Sequence, residues 1–242
     1  MKKFYSIIAA LAVATGMMAQ TTKYVKVQAE PEDWSGTYLI VYEDDANNQG
    51  VIFNGALDDL DVVGNFITAS NDYQTINGKE VRTIDSTAET DAAVFTVSKA
   101  ETEGIYYIVS ASGCGIGYNK FDVDETTGAD IEEPDMSCKK GKTYDNTIAM
   151  EEGKTNVIVT AKVGYQLRWN NDKNRFRYHE AGKKKSIKFY KKELVDAEGN
   201  IVTGVKNVNV NASENAVYNL AGQRVDASHN GIVIKNGKKY VK

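Results

Sequence analysis

Along most of this chain, apolar and polar residues alternate in short runs separated by clusters of glycine, asparagine and aspartate. Residues 37–42 (TYLIVY) follow Ser35-Gly36 and lead into the polar stretch 43–50. Comparable runs stand at 51–53, 66–69, 79–84, 93–98 and 105–110, then at 147–150, 156–161, 165–169, 175–179 and 186–191. Runs of this length with period two predict β-strands, and Asn77-Gly78 and Asn170-Asn171-Asp172 are turn signals between them. Spacing of roughly ten residues favours a barrel or sandwich over βαβ units. Beyond residue 19 no window carries a convincing helical period. The expected class is therefore all-β, with a barrel-like main domain.

One pattern recurs. WSGTYLIVYE…GVIFNG and EGIYYIVSASGCGIGYN both read as a strand, a turn and a second short strand carrying glycine, and TNVIVTAKVGYQLRWNN is a weaker third copy. Three such units resemble the β-trefoil, the architecture of ricin-type lectins, over about 150 residues. The resemblance, placed over residues 24–192, implies a β-trefoil-like fold for the main domain at 20–192. The ricin Q-x-W signature is absent, so it implies no lectin residues.

Both ends of the chain read as addresses. Residues 1–19 open with Lys2 and Lys3, continue through an apolar run at 4–13 and close on small residues before Gln20. This order predicts an export signal cleaved after Ala19, and the run is too short to span a membrane, which takes about 20 residues. Residues 193–203 read as a polar linker. From Gly204 onward, Ala216–Val225 (AVYNLAGQRV), then 231–237 (GIVIKNG) and the terminal lysine-rich stretch resemble a shortened type A sorting domain of the type IX secretion system. The segment departs from the family in length and in having Ser228-His229-Asn230 where a proline is usual. The resemblance implies a small β-hairpin or sandwich-like appendage over 204–242 that engages secretion machinery.

Charge and composition narrow the function. Losing Lys2 and Lys3 takes the formal charge from −4 to −6. That acidity gives no support for nucleic-acid binding, which leaves a basic footprint. No later segment is long and apolar enough for a transmembrane helix. Few prolines, many glycines and fourteen tyrosines suit a β-rich extracellular protein. The location this predicts is extracellular or at the outer surface, with the periplasm as the alternative.

Several residue sets carry candidate chemistry. Cys114 and Cys138 are the only cysteines; in an oxidising compartment a disulfide between them would close a loop of about 25 residues, contributing on the order of 3 kcal/mol. Gly113-Cys-Gly-Ile-Gly117 looks superficially like a phosphate loop, but no helix follows, so the glycines read as turn and close-packing positions. Asp122, Asp124, Thr126, Asp130 and Glu133 fall at positions 1, 3, 5, 9 and 12 of a calcium-type loop, although Thr127 stands where that loop needs glycine. A solvated acidic loop is the plainer reading, with calcium as the one candidate cofactor.

The main binding candidate is the hairpin at 165–179. Alternation puts Tyr165, Leu167 and Trp169 on one face, opposed by Phe176 and Tyr178, and leaves Arg168, Arg175, Arg177 and His179 on the other. The aromatic face reads as core and the Arg/His face as solvated or as a site for an acidic glycan. Trp34, at a loop–strand junction, reads as a core cap or a stacking platform. Lysines at 183–185, 188, 191 and 192 read as decoration of an edge strand. With two histidines and no nucleophile motif, the expected function is a secreted, non-catalytic module binding a glycan or a protein surface. The alternatives are a small extracellular glycoside hydrolase, whose carboxylates leave no spacing signature, and a structural or adhesive surface component.

Overall fold

The computed structural model describes residues 20–118, 122–123, 130–131, 136–162, 164–202, 217–219, 224–225, 232–235 and 238–241. The export-signal reading of residues 1–19 lies outside these residues. The chain divides into two units, Met1–Ile201 and Val202–Lys242.

The first unit is all-β. Its opening half holds β1 (Thr21–Lys26), β2 (Gly36–Asp44), β3 (Gln49–Phe53), β4 (Phe66–Ser70), β5 (Asp72–Ile76), β6 (Lys79–Asp85), the short helix α1 (Ala88–Ala92) and β7 (Phe95–Lys99). It continues with β8 (Tyr106–Ser110), β9 (Cys114–Tyr118), the two-residue strands β10 (Asp122–Val123) and β11 (Asp130–Ile131), β12 (Met136–Lys140) and β13 (Thr147–Met150). It ends with β14 (Val157–Lys162), β15 (Tyr165–Asn170), β16 (Arg175–Glu180) and β17 (Lys188–Val195). Eleven strands form one antiparallel sheet in the order β12-β9-β8-β7-β2-β17-β1-β6-β5, from which β3 branches off β2 and β4 off β3. A second sheet has the order β13-β14-β15-β16. The sheets are not closed into a barrel. Single bridges, Tyr106 to Asn146 and Val157 to Ile187, connect one to the other.

The three sequence echoes occupy matching places. β2–β3, β8–β9 and β14–β15 are each antiparallel hairpins, and each second strand pairs with a third: β4, β12 and β16. Val51 and Phe53 of β3, Ile116 of β9, and Leu167 and Trp169 of β15 all point into one core cluster. The first and third hairpins also end alike. Asn54 accepts a bond from the Ala56 amide (3.1 Å) and Asn170 one from the Asp172 amide (3.1 Å), so each aromatic–Asn pair closes its strand with an Asx turn.

That main cluster also takes in Tyr38, Ile40, Phe95, Ile108, Val159, Phe176, Tyr178 and Phe189. A second cluster of Tyr24, Leu39, Val41, Ile52, Ile84 and Tyr190 fills the other side of β2 and β3. Strand β2 is thus buried on both faces, with residues 38–41 at 0–1% exposure. This is why its run is continuously apolar where a half-buried strand would alternate. Tyr24 of β1, Ile84 of β6, Tyr190 of β17 and Ala93, directly after α1, supply the cover. The helix is one turn long and is held by a capping box, Thr87 with Thr90. Asp91 accepts from Tyr24 Oη (2.5 Å), Ser86 Oγ (2.7 Å) and Lys192 Nζ (3.0 Å), tying the helix to β1 and β17.

The structure alters several readings. The lysine-rich strand is interior: β17 pairs with β2 on one side and β1 on the other, and two of its lysines find carboxylates, Lys192 on Asp91 and Lys191 on Glu193. Residues 193–195, read as linker, extend β17 to pair with β1; residues 196–200 make a turn, and Ile201 bridges back to Val195. Gly115 and Gly117 serve close packing, since a Cβ would lie 2.0 Å from the Lys142 carbonyl oxygen and 2.2 Å from Tyr144 Cβ. Asn77-Gly78 forms the expected turn, both residues at positive φ. No helix among the described residues is long and apolar enough to cross a membrane.

The second unit holds β18 (Val217–Asn219), β19 (Arg224–Val225), β20 (Ile232–Lys235) and β21 (Lys238–Val241), an antiparallel sheet in the order β19-β18-β20-β21. Lys235 pairs with Lys238, the residues flanking the Asn236-Gly237 hairpin signal.

Candidate functional site

Register in the β15–β16 hairpin divides its residues as alternation predicts. Leu167 sits opposite Tyr178 and Trp169 opposite Phe176, all four in the core, while Gln166 faces His179, Arg168 faces Arg177 and Asn170 faces Arg175 on the reverse side. Trp169 is 4% exposed, stacked on Tyr42 (6.0 Å) and met edge-on by Phe66 (5.1 Å). Trp34 is 2% exposed and meets Phe189 edge-on at 5.7 Å. Both indoles are packing elements, with no ring face open to a sugar.

The reverse side is cationic and incompletely satisfied. Arg177 forms a salt bridge with Asp61 (2.9 Å), whose carboxyl is pushed up by burial against the pull of Arg177. Asp61 comes from the loop after β3, which Asn65 pins in place. The Asn65 side chain donates to the carbonyls of Leu60 (2.6 Å) and Phe176 (2.9 Å) and accepts from the Phe176 amide (2.8 Å). Leu60 enters the core as part of the same loop.

Arg168 is the anomaly. It is 8% exposed, donates Nη1 to Ser186 Oγ (2.7 Å) and Nη2 to Gln166 Oε1, and its Nε is buried without an acceptor. Among the described residues no carboxylate stands within ion-pair range of it, and burial holds its pKa below the usual guanidinium range. Arg175 Nε and His179 Nε2 are likewise buried without partners. His179 is pulled down to about 4 by burial and by the cations Lys184, Arg177 and Arg175, so its imidazole is neutral across the physiological range. Buried donors without acceptors cost free energy, and a cation desolvated among neutral partners costs more.

Beside this hairpin lies a feature that sequence reading missed. Residues 28–30 and the 150–156 turn border an open cleft of about 670 Å³, with Lys188 on its wall. The Met150 amide donates to Glu30 Oε2 (2.9 Å) across the two segments. Glu151 accepts from Lys154 (2.5 Å) and Asn156 Nδ2 (2.6 Å), and Asn156 Oδ1 accepts from Lys188 Nζ. The cleft joins residues 120 positions apart, which no local motif records.

The other candidates are only partly placed. Asp124, Thr126 and Glu133 of the calcium-type set lie outside the described residues; Asp122 and Asp130 lie on β10 and β11, which pair Asp122 with Ile131 and Val123 with Asp130. Among the described residues no group of three or more His, Cys, Asp or Glu side chains is arranged to hold a metal. Cys114 and Cys138 are free thiols on neighbouring strands β9 and β12; Cys114 Sγ donates to the Asp58 carbonyl (3.3 Å) and Cys138 Sγ to Asp59 Oδ1 (3.6 Å). Cys114 pairs with Lys140 and Cys138 with Ile116, so the two are diagonal neighbours on one face, about 7–8 Å apart in an ordinary sheet. Compared with known protein families, characterised proteins and solved structures, the chain matches none.

Proposed function

We propose that this protein is an exported, non-catalytic binding module whose β14–β17 segment recognises an anionic glycan. The carrying observation is the row Arg168, Arg175 and His179, whose buried ring and guanidinium nitrogens lack acceptors while the surrounding scaffold satisfies most of its own. An anionic ligand supplies the missing acceptors and counter-charge.

We further infer a β-trefoil plan for the main domain. In support, the three hairpins are each extended by a third strand, and a fourth strand, β7, β13 or β17, lies beside the first: β7 pairs with β2, and single bridges lead from β8 to Asn146 beside β13 and from β14 to Ile187 beside β17. Each fourth strand also pairs with the first strand of the next repeat, β7 with β8, β13 with β14 and β17 with β2. Export rests on the signal-like order of residues 1–19, and surface delivery on the sorting-domain resemblance of residues 204–242.

The test is an array of acidic and neutral glycans probed at low and raised salt. The expected result is retention on acidic glycans that weakens with salt and is lost in Arg175→Gln. Equal binding to neutral glycans, or binding only to proteins on a surface array, overturns the glycan reading.

A further inference from the structure

Two cations near the 670 Å³ cleft are under-compensated in the same way. Lys188 lines the cleft and is partly buried, yet its ammonium has one close partner, the amide oxygen of Asn156, and makes no ion pair among the described residues. Arg168 reaches Ser186, two residues before Lys188 in the chain, and has only neutral partners. The neighbouring Lys26 shows what this fold does elsewhere with a buried ammonium. It pairs with Glu43 at 2.8 Å, both side chains nearly covered, and Tyr190 Oη completes the carboxylate at 2.5 Å. Glu43, Glu151 and Asp45 act on Lys188, and Glu151 on Arg168, only from beyond ion-pair distance, so both cations lack the direct contact that Lys26 has and an external anion can supply it.

The rest of the cleft limits what that anion is. Glu30, Glu151 and Glu152 line it with Gln28, Asn156 and Lys154. Carboxylates and amides of this kind accept from and donate to vicinal hydroxyls, and they repel a ligand carrying several charges on each sugar. A sulfate-dense chain is therefore disfavoured. A sugar with one carboxylate and several free hydroxyls matches both halves of the lining.

We propose that the cleft between residues 28–30 and 150–156 seats a uronate unit, its carboxylate directed to Lys188 and its ring hydroxyls to Glu151, Asn156 and Glu30. This rests on the anionic-glycan reading above and adds the ligand class and a second contact region. The test is calorimetric titration of the purified protein with a trigalacturonate, the corresponding neutral galactose trimer and a sulfated galactan fragment of similar length, which carries no uronate. Lys188→Met is expected to weaken trigalacturonate binding by roughly tenfold or more, with an unchanged far-UV spectrum, and Lys188→Arg to restore most of it. Wild type should prefer trigalacturonate to both other ligands. Unaltered binding in Lys188→Met, with loss in Arg175→Gln, overturns the cleft assignment and leaves the cationic-face reading standing. A preference for the sulfated galactan overturns the uronate class alone. Failure of the wild type to bind any of the acidic ligands overturns both readings.

Discussion

The β2–β3 and β14–β15 hairpins are built on one pattern and differ in what covers their outer faces. In each, two core positions flank one that points the other way: Val51 and Phe53 around Ile52, Leu167 and Trp169 around Arg168. Tyr24 of β1, Ile84 of β6 and Ala93 at the end of α1 cover the first hairpin, so Ile52 lies at 0% exposure in a second apolar cluster. The β9 hairpin resolves the same position differently, with Gly117 beneath Tyr144. In the third hairpin Arg168 takes the place, with Ser186 and Gln166 as its partners. The lesson is about division of labour. When one strand pattern is used three times, the copies can share a core and still differ in what lies against their outer faces.

The largest effect should come from forcing the first hairpin to resemble the third. Ile52→Arg places a cation inside the cluster of Tyr24, Leu39, Val41 and Ile84 with no acceptor prepared for it. The expected cost is about 4 kcal/mol or more, enough to unfold a protein of ordinary stability. Thermal denaturation followed by circular dichroism reads it directly. A Tm within a few degrees of wild type would mean that β1, β6 and α1 do not seal this face.

That seal is also where reading the sequence stopped short. The repeated strand–turn–strand pattern was legible because period two and Asn-Gly signals are local. The core role of Trp169, Phe176 and Tyr178 was legible for the same reason. Strands β1 and β5 were missed, because TTKYVK and DYQTI are polar enough to pass as loop. Their place comes from partners far away, β17 and β6, and long-range pairing leaves no period. The lysine-rich β17 misled for the opposite reason. Lysine on a strand usually marks an edge, but here Asp91 of α1 and Glu193 of β17 itself supply counter-charges. The cationic face could be listed residue by residue from alternation. What sequence could not supply was the shortage of acceptors around Arg168 and the cleft beside Lys188, both properties of surroundings assembled from distant segments.

The reverse swap should be smaller and of opposite sign. Arg168→Met removes a desolvated cation that has no carboxylate partner and fills its space with an apolar chain. Replacing buried ionic groups by apolar residues of similar size is often neutral or favourable, and a gain of about 1–2 kcal/mol is expected in chemical denaturation. The same variant should bind acidic glycans less well. Stability and binding moving in opposite directions would identify Arg168 as retained for recognition. A loss of stability would show that its bonds to Ser186 and Gln166 hold the hairpin together.

The smallest effect is the pH response of the cationic face, where the third hairpin carries a histidine and the first carries none. His179 titrates near 6.5 when unfolded and is pulled down to about 4 in the fold, by burial first and then by Lys184, Arg177 and Arg175. Above pH 6.5 both states carry a neutral imidazole, so the residue adds no pH dependence. As pH falls below 6.5 the unfolded chain takes a proton that the fold refuses. Stability is therefore lost progressively between 6.5 and about 4, and the loss levels off once the folded state also protonates. Because His179 is only partly buried, solvent screening reduces the effect to about 1 kcal/mol over that window. Carboxylates titrate in the lower part of the same range, so the measurement is the difference between wild type and His179→Gln in urea denaturation at pH 7 and pH 5. Wild type should lose more stability than the variant on acidification. An acidic ligand bound to the face should shrink that difference, because its charge offsets the cations that keep the imidazole neutral. If the difference is the same with and without ligand, the charge on the glycan does not reach His179, and recognition is confined to the cleft at Lys188.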